Sequence, residues 1–527
     1  MAADIPLAIA LALYALGAGA LYLYGLNCYV MIRLFARARP RQQAEDAALR
    51  RRFAESTDDD DVPVVTTQLP IYNERFVVER LLRAVVAFDY PQGKHEIQVL
   101  DDSTDESLET NRALVAVLRA EGHDIHHIHR ADRTGYKAGA LAAGMAQARG
   151  EHLAVFDADF VPEPDFLRNT VPFLVMDPRC GFVQTRWGHR NRDYSLLTQV
   201  QALGIDGHFV VEQSARAWNG LFLNFNGTAG IWRRATIEDA GGWQADTITE
   251  DLDLSYRAQL GDWHGRFLFD TITPAELPTD INAFKSQQHR WAKGSIQTAM
   301  KLLPTILRRA DVGWFKKLQA VLHLTHYLVH PIMLLMTLLV LPILLWGHRI
   351  LSPTWLLPVF VVMLVSMVAP STLYLYSQRM AYTDWKKRVK LLPALAVLGV
   401  GLAVNNTKGV LEALLGHRQG EFVRTPKLGS RAERSKVVTE RIVPVGGAAA
   451  LVSAALVSAP AGGYRIPING LYVIELLMGL WAVLAFVQYL TLYKLLIGPL
   501  LLLHALGFLV VGTLSVLHHR RALLDEP

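Results

Sequence analysis

Only two cysteines, Cys28 and Cys180, occur in 527 residues. That excludes a disulfide scaffold and a multi-cysteine metal site, and it fits a reducing compartment. Charge is also scarce. Asp, Glu, Lys and Arg make up 19% of the chain, and 53 basic against 48 acidic residues leave a net charge of +5. A disordered chain and a nucleic-acid binder working through bulk charge are thereby excluded, so no nucleic-acid partner is expected. What is plentiful is apolar: hydrophobic residues reach 51%, which leans from the average soluble chain toward the membrane. At roughly 150 residues per domain, the length predicts three or four structural units.

The apolar excess is concentrated. Residues 5–32, 318–347, 351–378, 442–464, 476–493 and 495–519 contain no Asp, Glu, Lys or Arg. A helix needs about 20 residues to cross the hydrocarbon core, so most of these runs are long enough. The first has its basic flank after the apolar run, and no small-residue cleavage site is evident, so it reads as a retained anchor. Seven basic residues in 33–52, five in 379–390 and six in 420–441 place those segments inside, against one each near 348–350 and at 465. Counting 391–407 as a crossing would put 420–441 outside. Residues 384–416 are therefore laid along the interface, started by Asp384-Trp385-Lys386-Lys387-Arg388. Six spans result, with the amino terminus outside and the soluble stretch 33–317 in the cytoplasm. Parity then sends His518-His519-Arg520-Arg521 outside. The last apolar run ends at His519 and the chain at Pro527, so no carboxy-terminal regulatory domain is expected.

The soluble stretch alternates β-favouring runs (Val62–Leu69, Glu96–Leu100, Ile125–His129, His152–Phe156, Phe182–Thr185) with helical patterns such as Val77–Phe88 and Ser107–Ala120. This predicts an α/β domain with a mostly parallel sheet. Ligands in such sheets sit beyond the carboxyl ends of the strands. Polar residues gather there: Pro70-Ile71-Tyr72-Asn73-Glu74, Asp101-Asp102-Ser103-Thr104-Asp105 and Asp157-Ala158-Asp159. Helix capping accounts for a lone Asp-Ser pair. It accounts less well for Asp157 and Asp159, which alternation points the same way with no adjacent basic residue in sequence. Two close carboxylates need a cation between them, and hard oxygen ligands suit Mg²⁺ or Mn²⁺ shared with substrate phosphates. Thr247 and Glu250 form the pattern of a capping box. A helix start there would keep Asp251 ionised, as a proton acceptor must be. Gln287, Arg290, Trp291 and Gly294 follow helical spacing. Their amide, cation and ring suit a phosphate and a sugar, or equally an amphipathic interface helix.

At this point the motifs QVLDDSTD (98–105), GYKAGAL (135–141), FDADFVPEPDFL (156–167), FNGTAGIWR (225–233), TED (249–251) and QQHRW (287–291) stand in order. The chain resembles membrane glycosyltransferases of family 2 in the cellulose synthase superfamily, above all the cellulose-synthase-like mannan and glucan synthases of the A and C groups and their bacterial relatives. GEFVRTPK at 420–427 resembles the gating loop of these synthases, with Arg424 where Val is usual. The likeness covers roughly 62–430.

The resemblance implies a GT-A (Rossmann-like) α/β domain inserted in a transmembrane bundle. The units it suggests are an anchor (1–32), a linker (33–61), the catalytic domain (62–283), interfacial helices (284–317), two spans (318–378), an interfacial helix with the loop (379–441), further spans (442–519) and a tail (520–527). It further implies that Asp102 contacts the nucleotide base and Lys137 the diphosphate. Asp157 and Asp159 would hold Mg²⁺ or Mn²⁺, and Asp251 would be the general base. Gln287 and Arg290 would meet the diphosphate, Trp291 would floor the acceptor sugar, and Phe225, Asn226 and Gly227 would line the acceptor entrance. Glu250, Thr425 and Lys427 complete the substrate-binding set. The implied activity is an inverting, processive β-glycosyltransferase that draws on UDP-glucose or GDP-mannose and secretes a β-glycan. A lipid glycosyltransferase adding one hexose stands as the alternative. The partners would be donor, glycan or lipid acceptor, membrane lipids and accessory export proteins, at a bacterial inner membrane.

Overall fold

The computed structural model describes residues 4–74, 76–347, 353–416, 470–493 and 498–524. The expected span 442–464 and the loop with Phe422, Arg424, Thr425 and Lys427 lie outside them.

Among the described residues, seven strands form one sheet: β1 Val65–Ile71, β2 His95–Asp101, β3 Ile125–His129, β4 His152–Val155, β5 Cys180–His189, β6 Gly230–Arg233 and β7 His264–Ala275. Their order is β3-β2-β1-β4-β6-β5-β7. β1, β2, β3 and β4 run parallel, and β6 is antiparallel to both neighbours. The mixed sheet is of the GT-A kind. Alternation serves both faces: Ala154 and Phe156 enter one core with Val65, Leu69 and Val99, while Leu153 and Val155 enter the other with Phe182 and Trp232. The strand order reverses between β1 and β4, which sets a crevice at their carboxyl ends. The short β6 and the long β7 were not read from the sequence.

Among the described residues, five helices are long and apolar enough to cross a membrane: Ile5–Ser56, His326–Trp346, Val361–Ala381, Leu471–Leu492 and Gly498–Arg520. A sixth candidate is a pair, Trp385–Gly401 and Ala403–Leu414, bent by 43° at its break. The first helix corrects the sequence reading, because the expected linker 33–61 is helical as far as Ser56. Met31, Phe35 and Ala38 bury one side of it in the catalytic core, so packing carries the helix past the last apolar turn.

The C-terminal helix corrects the parity expectation. His518 Nδ1 lies 3.1 Å from Asp280 Oδ2 and 3.1 Å from the Ile281 amide nitrogen. That is the start of the helix Ile281–Arg308, which carries QQHRW. In the neighbouring apolar helix, Glu475 pairs with buried Lys285 at 2.6 Å. The end of the last helix that holds His518 and the start of its antiparallel neighbour therefore both face the catalytic domain.

Candidate active site

The carboxyl end of β2 presents two aspartates with different tasks. Asp101 is buried and accepts from the Ser103 amide, Asn111 Nδ2 and His127 Nε2. Burial would raise its carboxyl, but these bonds hold it below the usual range. Asp102 takes a bidentate pair from Arg130, at 2.8 Å from Nε and 2.6 Å from Nη2. Beyond it, the Arg133 guanidinium lies 3.3 Å from the centre of the Tyr72 ring. Neither arginine was singled out in the sequence. The only signal available was their place just after β3.

After β4 the chain turns through Asp157 and Asp159. Here the absence of a basic neighbour in sequence proves misleading. Lys137, 20 residues away, reaches Asp157 Oδ1 at 2.5 Å and the Gly227 carbonyl at 2.8 Å. Burial lowers the Lys137 ammonium, but Asp157, Glu250 and Asp251 around it hold it above its ordinary value.

The 225–229 loop closes the site. Phe225 departs from the expectation for it: it is fully buried, with its ring against Phe182 and Trp232. An aromatic of that size gains more from the core than from a wet cavity wall, so Phe225 anchors the loop. Asn226 and Gly227 do line the cavity. Gly227 has φ +78°, and a Cβ there would lie 3.1 Å from Asp251 Oδ2 and 3.4 Å from Lys137 Nζ, so both conformation and space require glycine. Thr228 Oγ1 accepts from the Asp157 amide at 2.8 Å and joins this loop to the carboxylate pair.

Asp251 stands in the first turn of the helix Glu250–Leu260. The expected capping box is not formed. Thr249, not Thr247, is the N-cap, and its side chain makes no capping bond, facing Thr298 Oγ1 instead. Two effects oppose the pull of the helix start toward an ionised Asp251. Burial, then the neighbouring Glu250, push its carboxyl up to about 7 despite Lys137. Burial raises Glu250 in the same direction. Gly294 of the QQHRW helix packs directly on Thr249, where a Cβ would lie 2.5 Å from its side chain. That contact registers the QQHRW helix against the helix carrying Asp251. Gln287, Arg290 and Trp291 all line the cavity, and Gln287 Oε1 is buried with no hydrogen-bond partner among the described residues.

The cavity holds about 1610 Å³. It joins Asp102, Lys137, Asp157, Asp159, Glu250, Asp251 and the QQHRW face to Tyr14, Thr337, Ser366 and His504 of the apolar helices. Among the described residues no group of three or more His, Cys, Asp or Glu is arranged to hold a metal alone. Two carboxylates with an ammonium against one of them do fit a Mg²⁺ or Mn²⁺ ion whose remaining ligands are phosphate oxygens.

Comparison with known proteins gives a consistent picture. The family model "Glycosyltransferase like family 2" matches residues 63–294. Glucomannan 4-beta-mannosyltransferase 2 of Arabidopsis thaliana is 35% identical over 382 residues, 70% of this chain and 68% of that protein. Glucomannan 4-beta-mannosyltransferase 1 of Oryza sativa subsp. japonica is 35% identical over 379 residues, 70% of each chain. Among solved structures, the mannosyltransferase PcManGT from Pyrobaculum calidifontis, in complex with GDP-Man and Mn²⁺, is similar at 21% identity and TM-score 0.48. That similarity covers 76% of this chain and 99% of the other.

Proposed function

The chain belongs to glycosyltransferase family 2, beside the glucomannan 4-beta-mannosyltransferases, and from that premise we propose that it elongates a mannan-like β-glycan and passes it through the membrane. It is a hexosyltransferase that joins a nucleotide-sugar donor to a glycan acceptor. The observation that carries the reading is the continuity of the cavity from Asp251 to the apolar helices.

In the proposed reaction Asp251 accepts the proton of an acceptor hydroxyl. That oxygen bonds to the anomeric carbon of the donor as the bond to the diphosphate breaks, and an α-linked donor yields a β-linkage. With its carboxyl near 7, Asp251 is a stronger base than an exposed aspartate and remains largely ionised at slightly alkaline pH. Trp291 presents a flat face to the terminal acceptor ring. Arg290, Gln287 and Lys137 meet the leaving diphosphate. Asp102, held rigid by Arg130, and Tyr72, stacked under Arg133, face the nucleotide base. Asp157 and Asp159 would hold Mg²⁺ or Mn²⁺, which when bound supplies countercharge for the leaving phosphates. Thr425 and Lys427 would cover the donor, and Glu250 adds to the substrate pocket. The catalytic domain faces the cytoplasm, with lipids and export proteins as outer partners.

Membranes incubated in parallel with radiolabelled GDP-mannose and UDP-glucose test the reading. A labelled polymer cut by β-mannanase is expected from GDP-mannose. Label confined to a lipid extract with one added hexose would overturn it.

A further inference from the structure

Between β5 and β6 a helix runs from Leu196 to Trp218, and within it Gly207–Glu212 form a π-helical turn. Such turns are rare and strained, and they concentrate at functional sites. A Cβ at Gly207 would lie 2.6 Å from the Tyr374 ring of an apolar helix, so the backbone is pressed against that helix. The widened turn brings His208 and Glu212 to the cavity wall.

A chain of hydrogen bonds with one consistent direction starts there. Fully buried Arg216 donates to Glu212 Oε1 from Nε at 3.1 Å and from Nη2 at 3.0 Å. Burial would raise the Glu212 carboxyl, yet Arg216 and the His208 bond hold it well below the usual range, so it only accepts. His208 Nδ1 must then donate to Glu212 Oε2, at 3.1 Å. That leaves Nε2 to accept from Asn226 Nδ2, also at 3.1 Å. Gln213 Nε2 closes the chain by donating to Asn226 Oδ1. The Asn226 amide is thus locked in one orientation at the cavity that Gly227 and Asp251 also line. Its second Nδ2 hydrogen has no protein partner among the described residues. Burying an arginine is costly unless its partners are exact, and such a network fixes geometry better than it adds stability.

Resting on the reading of the chain as a glycan-elongating transferase, we propose that His208 and Glu212 are positioning residues for the acceptor. Through the His208 imidazole, Glu212 holds the Asn226 amide so that its remaining hydrogen is donated to a hydroxyl of the terminal acceptor hexose.

The test uses full-length enzyme in nanodiscs with a β-mannan hexasaccharide as added acceptor. His208→Phe keeps the ring volume and the Arg216–Glu212 pair but removes both bonds. It should raise KM for the hexasaccharide about tenfold, equivalent to about 1.4 kcal/mol, and leave KM for the donor unchanged. His208→Gln, whose amide can accept from Asn226 and donate to Glu212, should recover most of that affinity. If the phenylalanine variant does not accumulate, His208→Asn is too short to bridge both partners and carries the same expectation. Unchanged acceptor KM, an equal rise in donor KM, or a glutamine variant as weak as phenylalanine overturns the inference alone. A wild-type enzyme that makes polymer from donor alone but cannot extend the hexasaccharide also overturns the inference alone; one that does neither overturns the underlying reading, and the inference with it.

Discussion

The two ends of the cavity are built from different chemistry. At the catalytic end Asp157, Glu250 and Asp251 crowd around Lys137, and Asp159 lines the same wall. At the membrane end the five long apolar helices add no Asp, Glu, Lys or Arg to the wall; Glu412 of the bent pair does line the cavity, where it meets His289 and Lys293. Tyr14, Thr337, Ser366, Ser371 and His504 stand there among Met336, Met363 and Met367. The charged end suits a diphosphate and a proton transfer, both of which require charge to be placed and neutralised. The neutral end suits a polymer that must slide: hydroxyls give exchangeable hydrogen bonds, thioethers adapt to shape, and no fixed charge pins the sugar. On the proposed reading, the cavity separates chemistry from transport along its length.

That comparison breaks if variants at the charged end spare chemistry, so the largest effect is expected there. Thorough chelation with EDTA should reduce transfer to background, and added Mg²⁺ or Mn²⁺ should restore it. Undiminished transfer after chelation would remove the metal from Asp157 and Asp159. Next in size is Asp251→Asn, which keeps the shape and loses the base. The rate should fall by roughly 10²–10⁴ while the donor KM holds. A near wild-type rate would require another base.

The pH profile refines the same residue. Burial and Glu250 raise Asp251 to about 7, and only the ionised form accepts a proton. The kcat/KM of the free enzyme should therefore fall about tenfold per unit as pH drops below that value and level off above it. A profile flat down to about pH 5 would contradict an Asp251 raised in this way. The smallest effect on chemistry is expected at the neutral end. Met367→Trp narrows the path on one apolar helix. It should shorten the product to oligosaccharides while transfer to a short added acceptor stays within about twofold, a change of under 0.5 kcal/mol. Loss of both together would merge the two regions into one function.

Much of this site is legible in the sequence because strand ends are local features. Asp102, Asp157 and Asp159 each follow a β-favouring run, and β3 and the helix Ser107–Ala120 have the boundaries that pattern and propensity predict. The partners of these residues are not local. Arg130 is 28 residues from Asp102, Lys137 is 20 from Asp157, and His208 is 18 from Asn226. Only the folded sheet brings each pair together. Phe225 was misread for the opposite reason. Its neighbours Asn226 and Gly227 face the cavity, and a motif quoted as a unit does not show that alternation turns one member into the core. The parity of the membrane helices failed because it rests on the number of spans, whereas the contact of His518 with Asp280 places the end of the last one directly.

The central claim is that one continuous path serves both transfer and export. Product size tests it most directly, with purified enzyme in nanodiscs supplied with donor alone. The account predicts a high-molecular-weight β-glycan that Trp291→Ala eliminates. A lipid carrying one added hexose, made equally well by Trp291→Ala, would contradict it.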